Sequence, residues 1–450
     1  MQIRSLLILA FLMALPSVSR AVAFETATRL YQENQYQRAY DAFKEMAELG
    51  NAEAMYKIGL IQVQDIPSDE DLVEGYAWLL FAIDSGYEDN SMADSVKFLL
   101  NPSQLKQANI KYKQLKQTNN AEAIQEKYFP ITFNSNTGGK SYIPAQLLRS
   151  QAARDKTNEP VGYVDVAYTI STDGTTRDQK VLYASQRKLE GAALDLVKQY
   201  VYQPASYEGR LMHEFYRKTR IRFSNSTAEL RKMEDLRYEE LLAQANTGSS
   251  VHLYQLAEHL SLSGAKEESS QWLIKAAQYG STRAKFELGR DLLYGTQCLF
   301  DYEKSVYWLT KAASEGLADA QLLLGMEYLL GTRLPKNISE GLILLHFAAN
   351  TDNDAAKLKY AQVLAVHPSD ALRKTHSPSR YVSQVNKHQY RDLITYYETR
   401  SMVEESQDDL KNAVKWQKKA IKEAEKYGLP TQNLVVSLDN LQNQNIIVSD

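Results

Sequence analysis

A spacing of 36 residues recurs along this chain of 450 residues. Trp272 begins the string Trp-x-x-x-Ala-Ala-x-x-Gly, and Trp308 begins the same string one period later. A fixed period of about 20 to 50 residues is typical of solenoids, whose units bury their apolar faces only against neighbouring units. The spacing therefore predicts an array of helical repeats, an architecture that usually serves as a scaffold for other proteins.

Each repeat is predicted to consist of two helices with small residues where the helices meet. The recurring positions of the second helix are Trp272, Ala276, Ala277 and Gly280, then Trp308, Ala312, Ala313 and Gly316, and then Leu344, Ala348, Ala349 and Asp352 in a decaying copy. Gly289 and Gly325 recur in the first helix, and Trp78 and Gly86 mark an earlier copy. Alanine lets two helices approach closely, a terminal glycine supplies a left-handed cap, and the Trp side chain is expected to fill the space between repeats.

These residues resemble Sel1-like repeats, which are relatives of the tetratricopeptide repeat. The resemblance is specific over 248–350 and weaker elsewhere. It implies an α-solenoid that binds partners along its concave face. Trp416 lies three periods after Trp308 and precedes Ala420, so the C-terminal stretch is either a degenerate repeat or a coincidental match.

The period changes over 141–225, which interrupts the 36-residue register between Trp78 and Trp272. Over 162–170 the residues alternate with the period of a half-buried strand. Its outward face would carry Tyr163, Asp165, Ala167 and Thr169. Asp173-Gly174 predicts a hairpin turn, a helical face follows from Leu189, and 215–223 alternates again. The pattern predicts a small α+β domain inserted into the array.

The order of short motifs in this segment resembles the C-terminal domain of TonB, the periplasmic energy transducer. The motifs are Tyr142-Ile143-Pro144, Gly162-x-Val164, Asp173-Gly174, Ala192-Ala193-Leu194, Tyr202-x-Pro204-Ala205, Gly209 and Ile221-x-Phe223. In that family the domain adds the short N-terminal box of an outer-membrane receptor as a strand at its sheet edge. The resemblance therefore implies strand addition along 216–223, where backbone pairing would supply the affinity.

The residues predicted to face such a partner are Tyr216, Lys218, Arg220 and Arg222. Their cationic face would favour an acidic partner segment. A second interpretation stays open, because charged residues on an edge strand also serve to prevent association. The chain also departs from a working transducer: its 11 prolines form no extended spacer, and the TonB-like segment is internal and carries an insertion at 151–160. Force transmission by this chain alone is therefore not expected.

The N-terminus reads as a secretory signal peptide. Arg4, an apolar run over 6–15 and the string Ala21-Val22-Ala23 predict cleavage after Ala23. The run is shorter than the roughly 20 apolar residues that a membrane-spanning helix needs, so no transmembrane span is expected in the mature chain. Together with the TonB resemblance, this predicts a periplasmic location in a Gram-negative bacterium. Cys298 is the only cysteine and is expected to be a buried core residue.

Several function classes are disfavoured. A formal net charge of −3 argues against a nucleic-acid-binding protein. The seven histidines show no metal-ligand spacing, and the sequence has no nucleophile elbow and no phosphate-binding glycine loop. No enzymatic activity, cofactor or metal is expected.

The expected function is a periplasmic scaffold whose partners are proteins of the cell envelope, with an outer-membrane receptor segment as one candidate. The alternative is a component of TonB-dependent transport that acts with a separate membrane-anchored protein. The predicted boundaries are 1–23 for the signal peptide, 24–128 for N-terminal repeats, 129–140 for a linker, 141–225 for the TonB-like domain, 226–350 for further repeats, 351–430 for degenerate repeats and 431–450 for a tail.

Overall fold

The computed structural model describes residues 22–64, 68–130, 142–150, 161–224, 227–295, 298, 300–387 and 389–449. Most of the predicted signal peptide, most of the predicted linker and the predicted insertion at 151–160 lie outside the described residues. The chain divides into two compact units. The first unit comprises Met1–Asn136 and Arg237–Glu315, and the second comprises Thr137–Leu236 and Gly316–Asp450.

The elements are numbered in chain order. Before residue 131 they are α1 (Phe24–Gln32), α2 (Tyr36–Glu48), α3 (Ala52–Gln62), α4 (Asp69–Asp84), α5 (Ser91–Leu99), α6 (Pro102–Thr118) and α7 (Ala121–Tyr128). From 142 to 224 they are β1 (Tyr142–Ile143), β2 (Gln146–Arg149), β3 (Gly162–Ile170), β4 (Thr176–Ala184), a 3-10 turn (Arg187–Leu189), α8 (Glu190–Lys198), β5 (Val201–Gln203), β6 (Ala205–Tyr207), β7 (Arg210–Met212) and β8 (Glu214–Phe223). Then follow α9 (Thr227–Ala245), α10 (Ser250–Ser263), α11 (Lys266–Gln278), α12 (Thr282–Tyr294), α13 (Tyr302–Ser314), α14 (Ala318–Leu330), α15 (Ile338–Ala349), α16 (Asp354–Val366), α17 (Asp370–Thr375), α18 (Pro378–Ser383), α19 (Leu393–Glu405), α20 (Leu410–Lys426) and α21 (Gln432–Ser449).

Helical hairpins form the first unit, in which α3 packs against α4, α10 against α11 and α12 against α13. Gly289 of α12 faces α13 so closely that an added Cβ would stand 2.9 Å from the backbone nitrogen of Leu309. Trp308 of α13 is fully buried, Trp78 of α4 is nearly so, and Trp272 of α11 is half-buried with the Lys275 ammonium 5.0 Å from its ring centre. The small residues thus bring the helices together, and the Trp side chains fill the space beside them to different extents.

Glycines end the second helices of these hairpins. Gly86, Gly280 and Gly316 have φ angles of 100°, 85° and 89°. These angles lie in the left-handed region, which a residue with a Cβ rarely adopts. The turn after each helix therefore depends on glycine.

Further helical hairpins belong to the second unit, in which α14 packs against α15 and α19 against α20. A Cβ at Gly325 of α14 would lie 3.1 Å from the Gly341 carbonyl oxygen of α15, so this pair of helices is also in close contact. Ala420 of α20 is fully buried. The stretch 351–430, which was predicted to contain degenerate repeats, thus contains the helical hairpin α19–α20. That this hairpin is a repeat of the same family stays a prediction.

An α+β segment also belongs to the second unit. Its main sheet has the antiparallel order β4-β3-β8, and α8 packs on β3 and β4. Two smaller sheets, β1-β6-β7 and β2-β5, complete it. The predicted fold class, helical repeat arrays on either side of a small α+β domain in the sequence, is confirmed.

Strand β3 begins and ends where the sequence predicts, but it is not half-buried. Tyr163, Asp165 and Ala167, which were expected on an outward face, are all buried. The reason is that β3 is the central strand, and the side chain of Arg220 from β8 covers this face over Tyr163. The alternating pattern alone could not show that both faces of the strand would be covered.

Candidate functional site

The predicted partner-facing residues lie on β8, which among the described strands pairs only with β3. In its register with β3, Arg222 is opposite Tyr163, Arg220 opposite Asp165 and Lys218 opposite Ala167. Arg222 is exposed, and Lys218 is half-buried. The structure therefore places these three predicted residues on one strand at alternate positions.

Tyr216 lies at an irregularity of this strand. Its φ angle is 61°, which is unusual for a residue with an aromatic side chain. The register with β3 shifts at the same place, between the pairs Tyr168–Arg217 and Ile170–Glu214. Such a bulge bends the strand and redirects the side chains before it. Tyr216 is therefore not a regular member of the alternating face that the sequence predicts.

Arg220 differs most from its expected position, because its guanidinium points into the protein. It donates two hydrogen bonds to the Asp165 carboxylate, at 2.7 and 2.9 Å, and its side chain is 1% exposed. The guanidinium also lies 4.3 Å from the ring centre of Tyr163 and 3.6 Å from a carboxylate oxygen of Glu234 in α9. Burial raises the pKa of Asp165, and the hydrogen bonds from Arg220 oppose that rise. Arg220 is thus engaged in a structural ion pair.

Carboxylates of the chain itself also contact the neighbouring arginines of β8. Arg222 pairs with Glu234 at 2.8 Å, and Arg217 pairs with Glu214 at 2.5 Å. Glu214 also accepts hydrogen bonds from the Tyr142 hydroxyl and the Ala145 backbone, both at 3.1 Å. Of the three cations on the face that the sequence predicts, Arg220 and Arg222 are thus paired with carboxylates of the chain itself.

Strand β2 is a second outer strand, which sequence reasoning did not single out. Within the described residues, it pairs only with β5, and all four of its residues are exposed. Leu147 is 48% exposed and Leu148 is 67% exposed, and Ile143 of β1 and Leu211 of β7 are exposed as well. An exposed strand edge with apolar side chains readily pairs with another extended segment. The adjacent leucines at 147 and 148 are the signal in the sequence that could have indicated this strand.

A group of titratable residues links β4 to the helices of the second unit. We call it the β4 cluster: Asp173, Arg177, Asp178, Lys359, Tyr390, Asp392 and Glu398. The Asp178 backbone donates a hydrogen bond to Asp392 at 3.0 Å, and the Tyr390 hydroxyl donates to the Asp178 carboxylate. Arg177 lies 3.1 Å from Asp173 and 3.3 Å from Glu398 of α19. These contacts hold the α+β segment against helices far away in the sequence.

The β4 cluster shifts the pKa values of its members. Burial, followed by the nearby Asp392 carboxylate, raises the pKa of Asp178 to about 6. Burial also lowers the pKa of Lys359. Beside the cluster, burial and then the positive charge of Lys359 lower the pKa of His213 to about 4. Perturbed groups of this kind occur both in functional sites and in structural ion-pair networks, and here their contacts tie strand to helix.

No group of three or more His, Cys, Asp and Glu side chains in the described part of the chain could hold a metal ion. None of the helices described is long and apolar enough to cross a membrane.

The fold and these outer strands define a helical-repeat protein that carries an internal α+β interaction domain. The Sel1 repeat family matches residues 52–87, 282–317 and 318–353, which correspond to the hairpins α3–α4, α12–α13 and α14–α15. The α+β domain matches the Gram-negative bacterial TonB protein C-terminal family over residues 151–224. Both predicted resemblances are thereby confirmed, and both families are non-catalytic interaction domains.

The chain is also similar to helical-repeat proteins of known structure. A Sel1 repeat protein from Oxalobacter formigenes is 27% identical over 28% of this chain and 97% of its own, with a TM-score of 0.26. The protein c5321, a protective antigen present in uropathogenic Escherichia coli strains and displaying an SLR fold, is 17% identical over 91% of this chain, with a TM-score of 0.27. This chain spans 63% of the length of c5321. No curated protein matches the chain.

Proposed function

We propose that this chain is a periplasmic scaffold that holds protein partners of the cell envelope and captures an extended partner segment at an exposed strand of its α+β segment. The Sel1 repeats and the TonB C-terminal domain support a role in protein interaction. The periplasmic location rests on the signal-peptide pattern at the N-terminus.

The observation that carries strand capture is the exposure of β2. Its backbone pairs with β5, and its side chains Leu147 and Leu148 lie in solvent. An incoming strand would bury this apolar surface while its backbone pairs with β2, and burial yields about 25 cal/mol for each Å² of apolar area. Strand β8 is the second candidate, but its arginines already pair with internal carboxylates.

A photo-crosslinking amino acid at Leu148 tests this proposal in cells, with the same group at Lys218 of β8 and at Lys106 of α6 for comparison. The proposal expects one envelope protein to be captured from Leu148. That capture should disappear when the neighbouring Leu147 is changed to Asp, and the purified partner should bind the full chain directly. Equal capture from Leu148 and Lys106 would mean that β2 is not a binding strand.

The match to the TonB C-terminal family also favours the alternative, a component of TonB-dependent transport. A cysteine at Leu148 or at Lys218 would then form a disulfide with a cysteine placed in the N-terminal box of an outer-membrane receptor. If neither position forms a disulfide with any such receptor, the transport role is excluded and the scaffold role stands alone.

A further inference from the structure

Helix α20 carries an unusual concentration of positive charge. Its 17 residues include six lysines and two glutamates, in a chain whose formal net charge is −3. Four of the lysines, at 411, 415, 418 and 422, follow the spacing of one helix face. At a rise of 1.5 Å per residue they form a row about 16 Å long. We call Lys411, Lys415, Lys418 and Lys422 the lysine row.

The lysine row faces solvent because the other side of α20 is packed. Ala413, Gln417, Ala420 and Ala424 are buried, and α20 contacts both α19 and α21. All four side chains of the row are exposed, and none forms an ion pair within the part of the chain that the structure describes. This is the reverse of β8, whose arginines pair internally. The row therefore has no evident role in holding the fold.

An aromatic pair lies on a different side of α20 from the lysine row, because one residue step turns an α-helix by about 100° between Lys415 and Trp416. The Trp416 ring stacks on Tyr397 of α19, with ring centres 5.7 Å apart and planes 22° apart. The Lys419 ammonium lies 4.0 Å from the centre of the Trp416 ring. The central guanidinium carbon of Arg400 lies 4.9 Å from the same ring centre. Both aromatic side chains are half-buried.

We propose that the lysine row docks this protein on an anionic lipid surface. Lysine is a compact point charge, whereas arginine presents a fork that suits paired hydrogen bonds to a single carboxylate or phosphate. A straight row of lysines, one at each helical turn, matches a flat field of negative headgroups better than a single bound ion. Helix α21, which packs beside it, has Asp439 as its one acidic residue and exposes Val435 and Val436.

Charge attraction sets the expected strength. Each lysine close to an anionic membrane increases the affinity for that membrane by about fivefold. Four lysines together should therefore increase the affinity by more than a hundredfold at low salt. Because the attraction decays over about 10 Å at 0.1 M salt, binding should weaken steeply as salt is added. The docking is independent of strand capture at β2, since it involves other elements and another class of ligand.

The test is co-sedimentation of the full chain with vesicles that contain one third phosphatidylglycerol, compared with vesicles of phosphatidylcholine alone. The expected result is binding to the anionic vesicles only, which falls at least tenfold between 50 and 300 mM salt. Changing all four residues of the row to Gln should reduce binding by more than a hundredfold. The matched control changes the exposed Lys44, Lys106, Lys113 and Lys232 to Gln, which alters net charge equally and should leave most of the binding intact.

The proposal is overturned if the two quadruple variants bind the anionic vesicles equally, because net charge would then explain the binding. It is also overturned if the unaltered chain binds soluble polyglutamate and not the vesicles, a result that would assign the row to an acidic polypeptide. Circular dichroism of both variants establishes that they remain folded, since the exposed lysines make no ion pairs in the described residues.

Discussion

Buried arginines of helix α12 and of the α+β segment find their carboxylates in different ways. In the first unit, Arg290 of α12 pairs with Glu287 at 2.7 Å and with Asp291 at 2.9 Å, both in its own helix. In the second unit, Arg220 of β8 pairs with Asp165 of β3, and Arg177 of β4 pairs with Glu398 of α19. A helical repeat can satisfy a buried charge locally, whereas the α+β domain satisfies it by bringing distant segments together.

The largest effect is expected from Asp165→Ala, which leaves the Arg220 charge buried and poorly compensated. Removing one partner of a buried ion pair typically costs about 3–5 kcal/mol in the free energy of unfolding. Urea unfolding measures that loss, and hydrogen exchange should accelerate along β8. Replacing both Asp165 and Arg220 by Leu should cost less than the single change. A loss below about 1 kcal/mol for Asp165→Ala would show that this long-range pair matters no more than a surface contact.

Acid should weaken the α+β domain through His213. Its pKa falls from 6.5 to about 4 in the folded chain, because burial and the charges of Lys359 and Arg177 disfavour the imidazolium. Between pH 6.5 and 4 the unfolded chain binds a proton that the folded chain does not, so stability falls as pH falls. The cost is about 2 kcal/mol at pH 5. His213→Gln should flatten that part of the curve of unfolding free energy against pH, and an unchanged curve would contradict the assignment.

Asp178 should act in the opposite direction over nearly the same pH range. Its pKa rises from 3.8 to about 6, so the folded chain holds a proton that the unfolded chain loses between these values. Stability conferred by this group is present at low pH and is lost as pH rises towards 6. Asp178→Asn should therefore make the unfolding free energy climb more steeply from pH 4 to 6, whereas His213→Gln makes it climb less.

In the helical repeats, the free energy of unfolding should be sensitive to side-chain volume added where two helices meet. At Gly289 an added Cβ would lie 2.9 Å from the Leu309 backbone, and overpacking of this kind costs about 1–3 kcal/mol. Alanine regains about 1 kcal/mol in helix propensity, so Gly289→Ala should lower the free energy of unfolding by about 1 kcal/mol. The control is Gly191 in α8, where a Cβ would meet no atom within 4 Å. Gly191→Ala should be neutral or stabilising in the same thermal unfolding assay.

The smallest effect is expected from Arg222→Ala. Arg222 pairs with Glu234 as Arg220 does, but its side chain is 43% exposed. Exposed ion pairs contribute about 0–1 kcal/mol and are screened by salt. The difference from the unaltered chain should therefore be small at 50 mM salt and absent at 0.5 M. A loss equal to that of Asp165→Ala would mean that burial does not distinguish the two arginines.

The sequence predicts the repeats well because their contacts are short in range. Glycine and alanine at fixed spacing describe hairpins of adjacent helices, and the bounds of β3 follow from a local alternation of residues. The burial of Arg220 could not be predicted, since Asp165 lies 55 residues earlier and the alternating pattern places Arg220 outside. The β4 cluster could not be predicted for the same reason, because its members come from the turn before β4, from β4, α16 and α19, and from the loop before α19. The exposure of β2 depends on which strands pair with it. The four residues of β2 alone do not indicate that pairing.

Cys298 has a practical consequence for these experiments. The side chain is 2% exposed, and burial raises the pKa of its thiol to about 12. At neutral pH almost no reactive thiolate is therefore present in the folded protein. A cysteine introduced at Leu148, Lys218 or Lys415 should be the only site that a maleimide dye modifies quickly. Fluorescent or cross-linkable derivatives can thus be prepared without replacing the native cysteine, so each surface can be labelled separately in otherwise unaltered protein.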